Sequence, residues 1–416
     1  MHPDSPRAAR VRFPNVNVVL GANGVGKTSL LKAAAIGSLN PIWGQSGFRP
    51  YSLIRKSPIR KFHAPSLISG TLALKKGEVY EIDPYNFDPS NIDYLAENYE
   101  SVESLKISIQ IDLRNNGEEI SNSAIFDDSI IPEPNALFTV AYGAMRRVER
   151  LPSYEMEDQN KQYSYRYSRM ANLFDSRVVL TPLVSWLPQL PKLEKKKVLA
   201  LFKKLMPANL KFTDSIEGRE FAFLHNKIRV PFDALADGHR SYIGWVSDLL
   251  YHLHQANPKN PTGVSGVVLV DEVDLLAHPT WQRTIVPDLA KTFPKLQFIV
   301  TTHSPIVAAS VEAANLFILE PGRNGTAKIT RPDAEVYGLN AQQVLHEVFG
   351  MDSTRAPEFE VELDKLRRKS QAGDRVATRE LMQGLAYGAG KPIPIEEDLD
   401  LVGIQKAAKA MLESNS

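Results

Sequence analysis

Eight residues near the start, Gly21-Ala22-Asn23-Gly24-Val25-Gly26-Lys27-Thr28, restrict this chain to a narrow set of folds. The apolar run Val16-Asn17-Val18-Val19-Leu20 before them predicts a buried strand. Ser29-Leu30-Leu31-Lys32-Ala33-Ala34-Ala35 after them predicts a helix. A glycine-rich turn between strand and helix lets backbone amides converge on an anion at the positive helix end, because glycine tolerates approaches that a Cβ forbids. In that setting G-x-x-x-x-G-K-[ST] is a phosphate cradle. Gly21, Ala22, Asn23, Gly24, Val25, Gly26, Lys27, Thr28 and Ser29 are the expected nucleotide-binding residues. Lys27 is expected to reach the β- and γ-phosphates, and Thr28 to ligate a magnesium ion.

Two more strand ends point to the same chemistry. Val267-Val268-Leu269-Val270 predicts a buried strand whose carboxyl end carries Asp271 and Glu272, expected beside the phosphate loop in a parallel sheet. Asp271 suits magnesium, and Glu272 is the natural base to polarise an attacking water. Phe298-Ile299-Val300-Thr301-Thr302-His303 predicts a third strand ending at the same edge, where His303 is expected to contact the γ-phosphate. A lone histidine is more often a surface or core residue, and three converging strand ends favour the sensor.

The chain has 416 residues and no cysteine, so disulfides and thiolate zinc sites are excluded, as a reducing cytoplasm would allow. No apolar run is long enough to cross a membrane, and a cytoplasmic location is expected. The net charge of +1 hides an imbalance. Residues 1–77 carry twelve Lys or Arg against Asp4, and residues 78–136 carry fourteen acids against Lys106 and Arg114. The basic stretch is a possible DNA contact, or a solvated surface facing an acidic insertion.

Strand-like alternation at 66–82 and 105–114, with Lys75-Lys76-Gly77-Glu78 as a hairpin turn between the first two strands, predicts an antiparallel sheet lobe. Phe138–Tyr142 predicts another strand. Residues 150–170 predict a loop, and 177–230 a helical stretch with Leu193–Leu205 amphipathic. The pattern from Val264 to Leu319 alternates strand and helix, and the chain after Pro321 is mostly helical. The expected fold class is α/β. The expected domains are 1–149 and 231–330 as two halves of one nucleotide-binding head, 150–230 as a mainly helical insertion, and 331–416 as a helical region able to dock a partner. Asp398-Leu399-Asp400 reads as a solvated acidic tail, since no apolar strand precedes it.

The combination resembles the ABC-type ATPase heads of the SMC and RecF class. Leu235-Ala236-Asp237-Gly238-His239-Arg240-Ser241 falls where that class carries a signature motif capping the ATP of another protomer. The ordinary alternative is a helix N-cap turn around Asp237. The class places serine where Ala236 stands, which favours weaker ATP-driven engagement. Asp271-Glu272-Val273-Asp274-Leu275-Leu276-Ala277-His278-Pro279 is similar to the DE-x-D-x-x-x-HP pattern of AAA_15/AAA_21-type bacterial proteins. Thr301-Thr302-His303-Ser304-Pro305 and Val140-Ala141-Tyr142-Gly143 with Arg146-Arg147 also match that group, over about residues 14–350. It includes the ATPase subunits of Septu-type anti-phage systems, which work with a separate HNH-type nuclease.

The resemblance implies a P-loop head that binds ATP and Mg²⁺, forms a homodimer or higher homo-oligomer, and uses Ala236, Asp237, Gly238 and His278 across the dimer. A hydrolysing defence subunit, a RecF-like repair factor and a nucleotide-gated scaffold with negligible turnover are the alternatives it leaves. The group's usual first strand has little room before Val16, so the adenine contact is unassigned, with Phe13 the one candidate.

Overall fold

A computed structural model describes residues 11–39, 66–73, 79–81, 104–114, 117–122, 130–132, 138–148, 165–217, 220–323, 326–351 and 353–388. The chain divides into two compact units, residues 1–349 and 350–416. In the first unit the strands are β1 (Val16–Gly21), β2 (Ser66–Ala73), β3 (Val79–Glu81), β4 (Ser104–Arg114), β5 (Gly117–Asn122), β6 (Ile130–Pro132) and β7 (Thr139–Tyr142). They continue as β8 (Leu210–Glu217), β9 (Glu220–His225), β10 (Ile228–Pro231), β11 (Gly266–Val270), β12 (Leu296–Thr301), β13 (Leu316–Pro321) and β14 (Ala327–Thr330). Its longer helices are α1 (Lys27–Leu39), α2 (Lys192–Leu205), α3 (Asp237–Ala256), α4 (Ile285–Thr292) and α5 (Ala341–Glu347).

The central sheet has the order β14-β13-β1-β12-β11-β7, parallel except for the antiparallel edge strand β14. A parallel sheet is covered on both faces, so its strands must be apolar on both. Every residue of β1 is buried. In β7 and β11 alternate residues divide between two cores, as a period of two requires. Val140, Tyr142, Val268 and Val270 join Trp245, Leu249 and Leu253 of α3, whereas Ala141 and Leu269 join Leu31, Ala35 and Ile36 of α1. The sheet therefore carries α1 on one face and α3 on the other. Strands from both ends of this unit build it, so the early and late segments fold as one body.

β12 stands between β1 and β11, delivered there by the short crossover through α4, and the carboxyl ends of all three share one edge. Two expectations change. Residues 177–230 are helical only as far as Leu205, and from Leu210 they form the antiparallel sheet β10-β9-β8. There the apolar period switches to two: Phe221 and Phe223 are buried together, and the Phe212 ring packs 5.1 Å from Phe202 of α2. Asn226 and Lys227, with φ of 49° and 69°, make the two-residue turn between β9 and β10.

The antiparallel lobe is present as β2-β4-β5, but β2 and β3 do not form the expected hairpin. β2 pairs along its whole length with β4, Ser66 opposite Ile111 through Ala73 opposite Ser104, and β3 pairs with β6. Eleven-residue β4 offers β2 a full ladder that three-residue β3 cannot match. Lys75–Glu78, most of the basic 1–77 stretch, residues 150–164 and the acidic 398–400 tail lie outside the described residues.

The second unit contains an antiparallel helix pair, α6 (Pro357–Gln371) and α7 (Arg375–Tyr387). Gly373 turns the chain at φ 92°, and the Asp374 side chain caps α7 by accepting from the amides of Val376 and Ala377. Leu363 and Ala377 are buried in this unit. Among the described residues no helix is long and apolar enough to cross a membrane.

Candidate functional site

The carboxyl ends of β1, β12 and β11 bring the predicted residues to one edge of the sheet. Gly21 ends β1 where an added Cβ would lie 2.4 Å from the Leu319 carbonyl oxygen, so no side chain fits there. Gly24 and Gly26 follow at φ 75° and 108°, conformations that favour glycine. α1 begins at Lys27, which points the loop's amides and the positive helix end at the same space. Lys27 is 6% exposed and folds back over the loop, its Nζ donating to the carbonyls of Gly21 at 2.8 Å and Ala22 at 3.0 Å. Burial lowers its pKa, opposed by the charges of Asp271, Glu272 and Asp274.

Thr28 is the hinge between the two motifs. Its Oγ1 donates to Asp271 Oδ2 at 2.7 Å, 243 residues away in sequence. Thr301, at the end of β12, donates its Oγ1 to Asp271 Oδ1 at 2.6 Å and accepts the Glu272 amide at 2.8 Å. Each oxygen of Asp271 is thus held by a hydroxyl, one from the first turn of α1 and one from the end of β12. Next along, Thr302 donates to the Asp274 carboxylate, and its Oγ1 accepts from the Ser304 amide at 2.9 Å. His303 lies between these two, partly exposed at the same edge.

Thr301, Asp274 and Gln282 were not predicted as site residues. Gln282 accepts from Ser304 Oγ at 2.7 Å and donates to the Ala277 carbonyl at 2.8 Å, lacing the loop after β11 to the loop after β12. The spacing of Asp274 from Asp271 was a usable signal. Nothing local marked Gln282.

The signature-like residues gather beside this loop. α3 starts at Asp237 with Ala236 as N-cap and no side-chain cap, so its first-turn amides lack the hydroxyl or carboxylate that usually caps them. Gly238 sits so close to the loop after β11 that a Cβ would lie 2.1 Å from the Leu276 carbonyl oxygen. Leu276 is 60% exposed at φ 61°. His278 caps the following turn, its Nδ1 accepting from the Thr280 amide at 3.3 Å. Gly238 thus packs on the loop that leads to His278, and Ala236, Asp237 and His278 are exposed. Phe13 is excluded as an adenine platform: it is 4% exposed, within the core, with Arg12 and Lys291 each 5.8 Å from its ring centre.

The AAA_21 family, described as "AAA domain, putative AbiEii toxin, Type IV TA system", matches residues 16–309, the segment that supplies every site residue above. The chain belongs to the AAA_21 family. The matched segment holds the phosphate loop, four strands of the central sheet and the antiparallel lobe β2-β4-β5. Among relatives of this AAA_21 chain, "Septu protein PtuA" of Bacillus mycoides (strain KBAB4) is 26% identical over 81% of this chain and 41% of its own length. "Retron Ec83 probable ATPase" of Escherichia coli is 36% identical over 32% of this chain and 24% of its own. The chain spans less than half the length of these curated relatives. Among solved structures, an SMC head bound to the C-winged helix domain of ScpA covers 76% of this chain and 90% of its own, at 12% identity and a TM-score of 0.41.

Proposed function

We propose that this AAA_21 chain is the ATP-binding, Mg²⁺-dependent ATPase subunit of a bacterial anti-phage defence system. Two copies close with nucleotides between them, and nucleotide state governs a separate HNH-type effector nuclease. The observation that carries the ATPase reading is the 2.7 Å contact between Thr28 and Asp271, which joins the phosphate loop to the acidic strand end. The names of the PtuA and retron relatives support the defence setting.

In this reading the amides of Gly21–Ser29 and the Lys27 ammonium bind the triphosphate. The hard oxygens of Thr28 and Asp271 fit Mg²⁺, which binds through few protein ligands alongside substrate phosphates. When bound, the ion neutralises phosphate charge. Thr301 fixes the orientation of Asp271. Glu272 accepts a proton from the attacking water, and His303 contacts the γ-phosphate. Ala236, Asp237, Gly238 and His278 face the nucleotide of the second copy.

Alanine at position 236, where the resembled class carries the serine hydroxyl, favours one other reading, a nucleotide-gated scaffold with negligible turnover. Steady-state phosphate release separates the two. The ATPase reading expects release several-fold above the Lys27→Ala background, falling to that background in Glu272→Gln while ATP binding persists. Wild-type release equal to Lys27→Ala, with binding retained, selects the scaffold. Undiminished release by Glu272→Gln removes Glu272 from the mechanism.

A further inference from the structure

Arg146 is 6% exposed, and its hydrogen bonds go to backbone carbonyls rather than carboxylates. Its Nη2 donates to the carbonyls of Asp271 and Glu272, each at 2.5 Å, and its Nε to that of Gly143 at 2.9 Å. The first two carbonyls bracket Glu272, whose φ of 45° is a left-handed conformation that non-glycine residues adopt only when the surroundings hold them there. The Glu272 amide is held separately by Thr301. The backbone under the carboxylate is therefore pinned from several sides, and Arg146 supplies the two side-chain bonds to its carbonyls, beside backbone bonds from the Leu275 amide to the Glu272 carbonyl and from the Val273 amide to the Thr301 carbonyl.

The guanidinium also contacts α3. Its Cζ lies 5.8 Å from the ring centre of Trp245, which is fully buried two turns into that helix. A second link runs in parallel: Tyr142, at the end of β7, donates to Asp248 of α3 at 2.8 Å. The helix that opens with the signature-like turn is thus packed directly against the group that holds Glu272.

We propose that Arg146 is the positioning residue of Glu272 and that, through Trp245, it ties the placement of that carboxylate to helix α3. This rests on the reading of Glu272 as the base. A change in the seat of α3 moves Trp245, then the guanidinium, then the two carbonyls, so engagement of the first turn of α3 is reported to the carboxylate of the same chain. Burial lowers the Arg146 pKa to about 10, against the pull of Asp271, Asp274 and Glu272, so the side chain stays charged at neutral pH.

The test uses the full chain with Arg146→Met, Arg146→Lys and Trp245→Phe, comparing kcat, KM and ATP affinity. Misplacing a reacting group by about 1 Å costs roughly 100-fold in rate, so Arg146→Met is expected to lower kcat by about that factor. Its ATP affinity is expected to stay within about threefold, since the phosphate cradle is untouched. Lysine keeps the charge and one carbonyl bond, and is expected to regain about tenfold in kcat. Trp245→Phe keeps an aromatic face and is expected to lower kcat alone.

A kcat unchanged in Arg146→Met overturns the inference, as does a loss of ATP affinity in step with kcat, which marks a brace of the whole fold. If Arg146→Met does not fold, wild-type kcat in both Arg146→Lys and Trp245→Phe overturns it. Wild-type turnover no greater than Lys27→Ala overturns the reading of Glu272 and this inference together.

Discussion

His239 stands in the first turn of α3, its ring 4.3 Å from that of Trp281 and 5.0 Å from that of His225. Burial, and then the charges of His225 and His278, lower its pKa to about 4. In the unfolded chain the same ring takes a proton near pH 6.5. Between these values the unfolded state binds more protons, so stability rises with pH. The contribution is fully present above pH 6.5 and is lost as pH falls toward 4. Acidification from about pH 7 to pH 5 is therefore expected to lower the thermal midpoint more in the wild type than in His239→Gln. Equal drops in the two proteins contradict this account of His239. At this scale the sequence made Lys27, Thr28, Asp271 and Glu272 legible, because a phosphate cradle needs those residue types at that spacing. Arg146 was illegible in role because it acts on backbone carbonyls, which every residue carries and no pattern encodes, and Gln282 because its partners, the Ala277 carbonyl and the Ser304 hydroxyl, meet it only in the fold.

Among the elements, the start of α3 and the loop after β11 behave as one piece because Gly238 and Leu276 touch. Replacing an exposed helical glycine by alanine stabilises by up to about 1 kcal/mol. At Gly238 the new Cβ would lie 2.1 Å from a backbone oxygen, which must move. Overpacking of this kind costs about 1–3 kcal/mol, so Gly238→Ala is expected to lower stability in urea unfolding, not raise it. A stabilised variant contradicts the contact. β1, β11 and β12 were legible as strands because continuous apolar runs end in polar residues at one sheet edge. Their order was not, since pairing depends on which flank a crossover reaches. The β8–β10 sheet was taken for helix because Lys192–Leu205 sets a strong helical period just before it. The β2–β3 hairpin failed for another reason: a turn-like Lys75–Glu78 says nothing about the longer ladder that β4 provides.

For the molecule as a whole, the described site lies within residues 1–349, and the α6–α7 pair belongs to the second unit. AAA_21 membership spans residues 16–309 and so covers β1, β7, β11 and β12, four of the six strands of the central sheet. The fold class followed from the phosphate loop together with the strand and helix alternation from Val264 to Leu319; the reach of the family followed from the later motifs. The basic and acidic stretches of residues 1–136 lie mostly outside the described residues. The central claim is that three strand ends form a single triphosphate site. Calorimetric titration of the full chain with ATP and magnesium tests it most directly. The account predicts saturable binding at one site per chain, abolished by Lys27→Ala. Heat absent at millimolar nucleotide, or a titration that Lys27→Ala leaves unchanged, contradicts it.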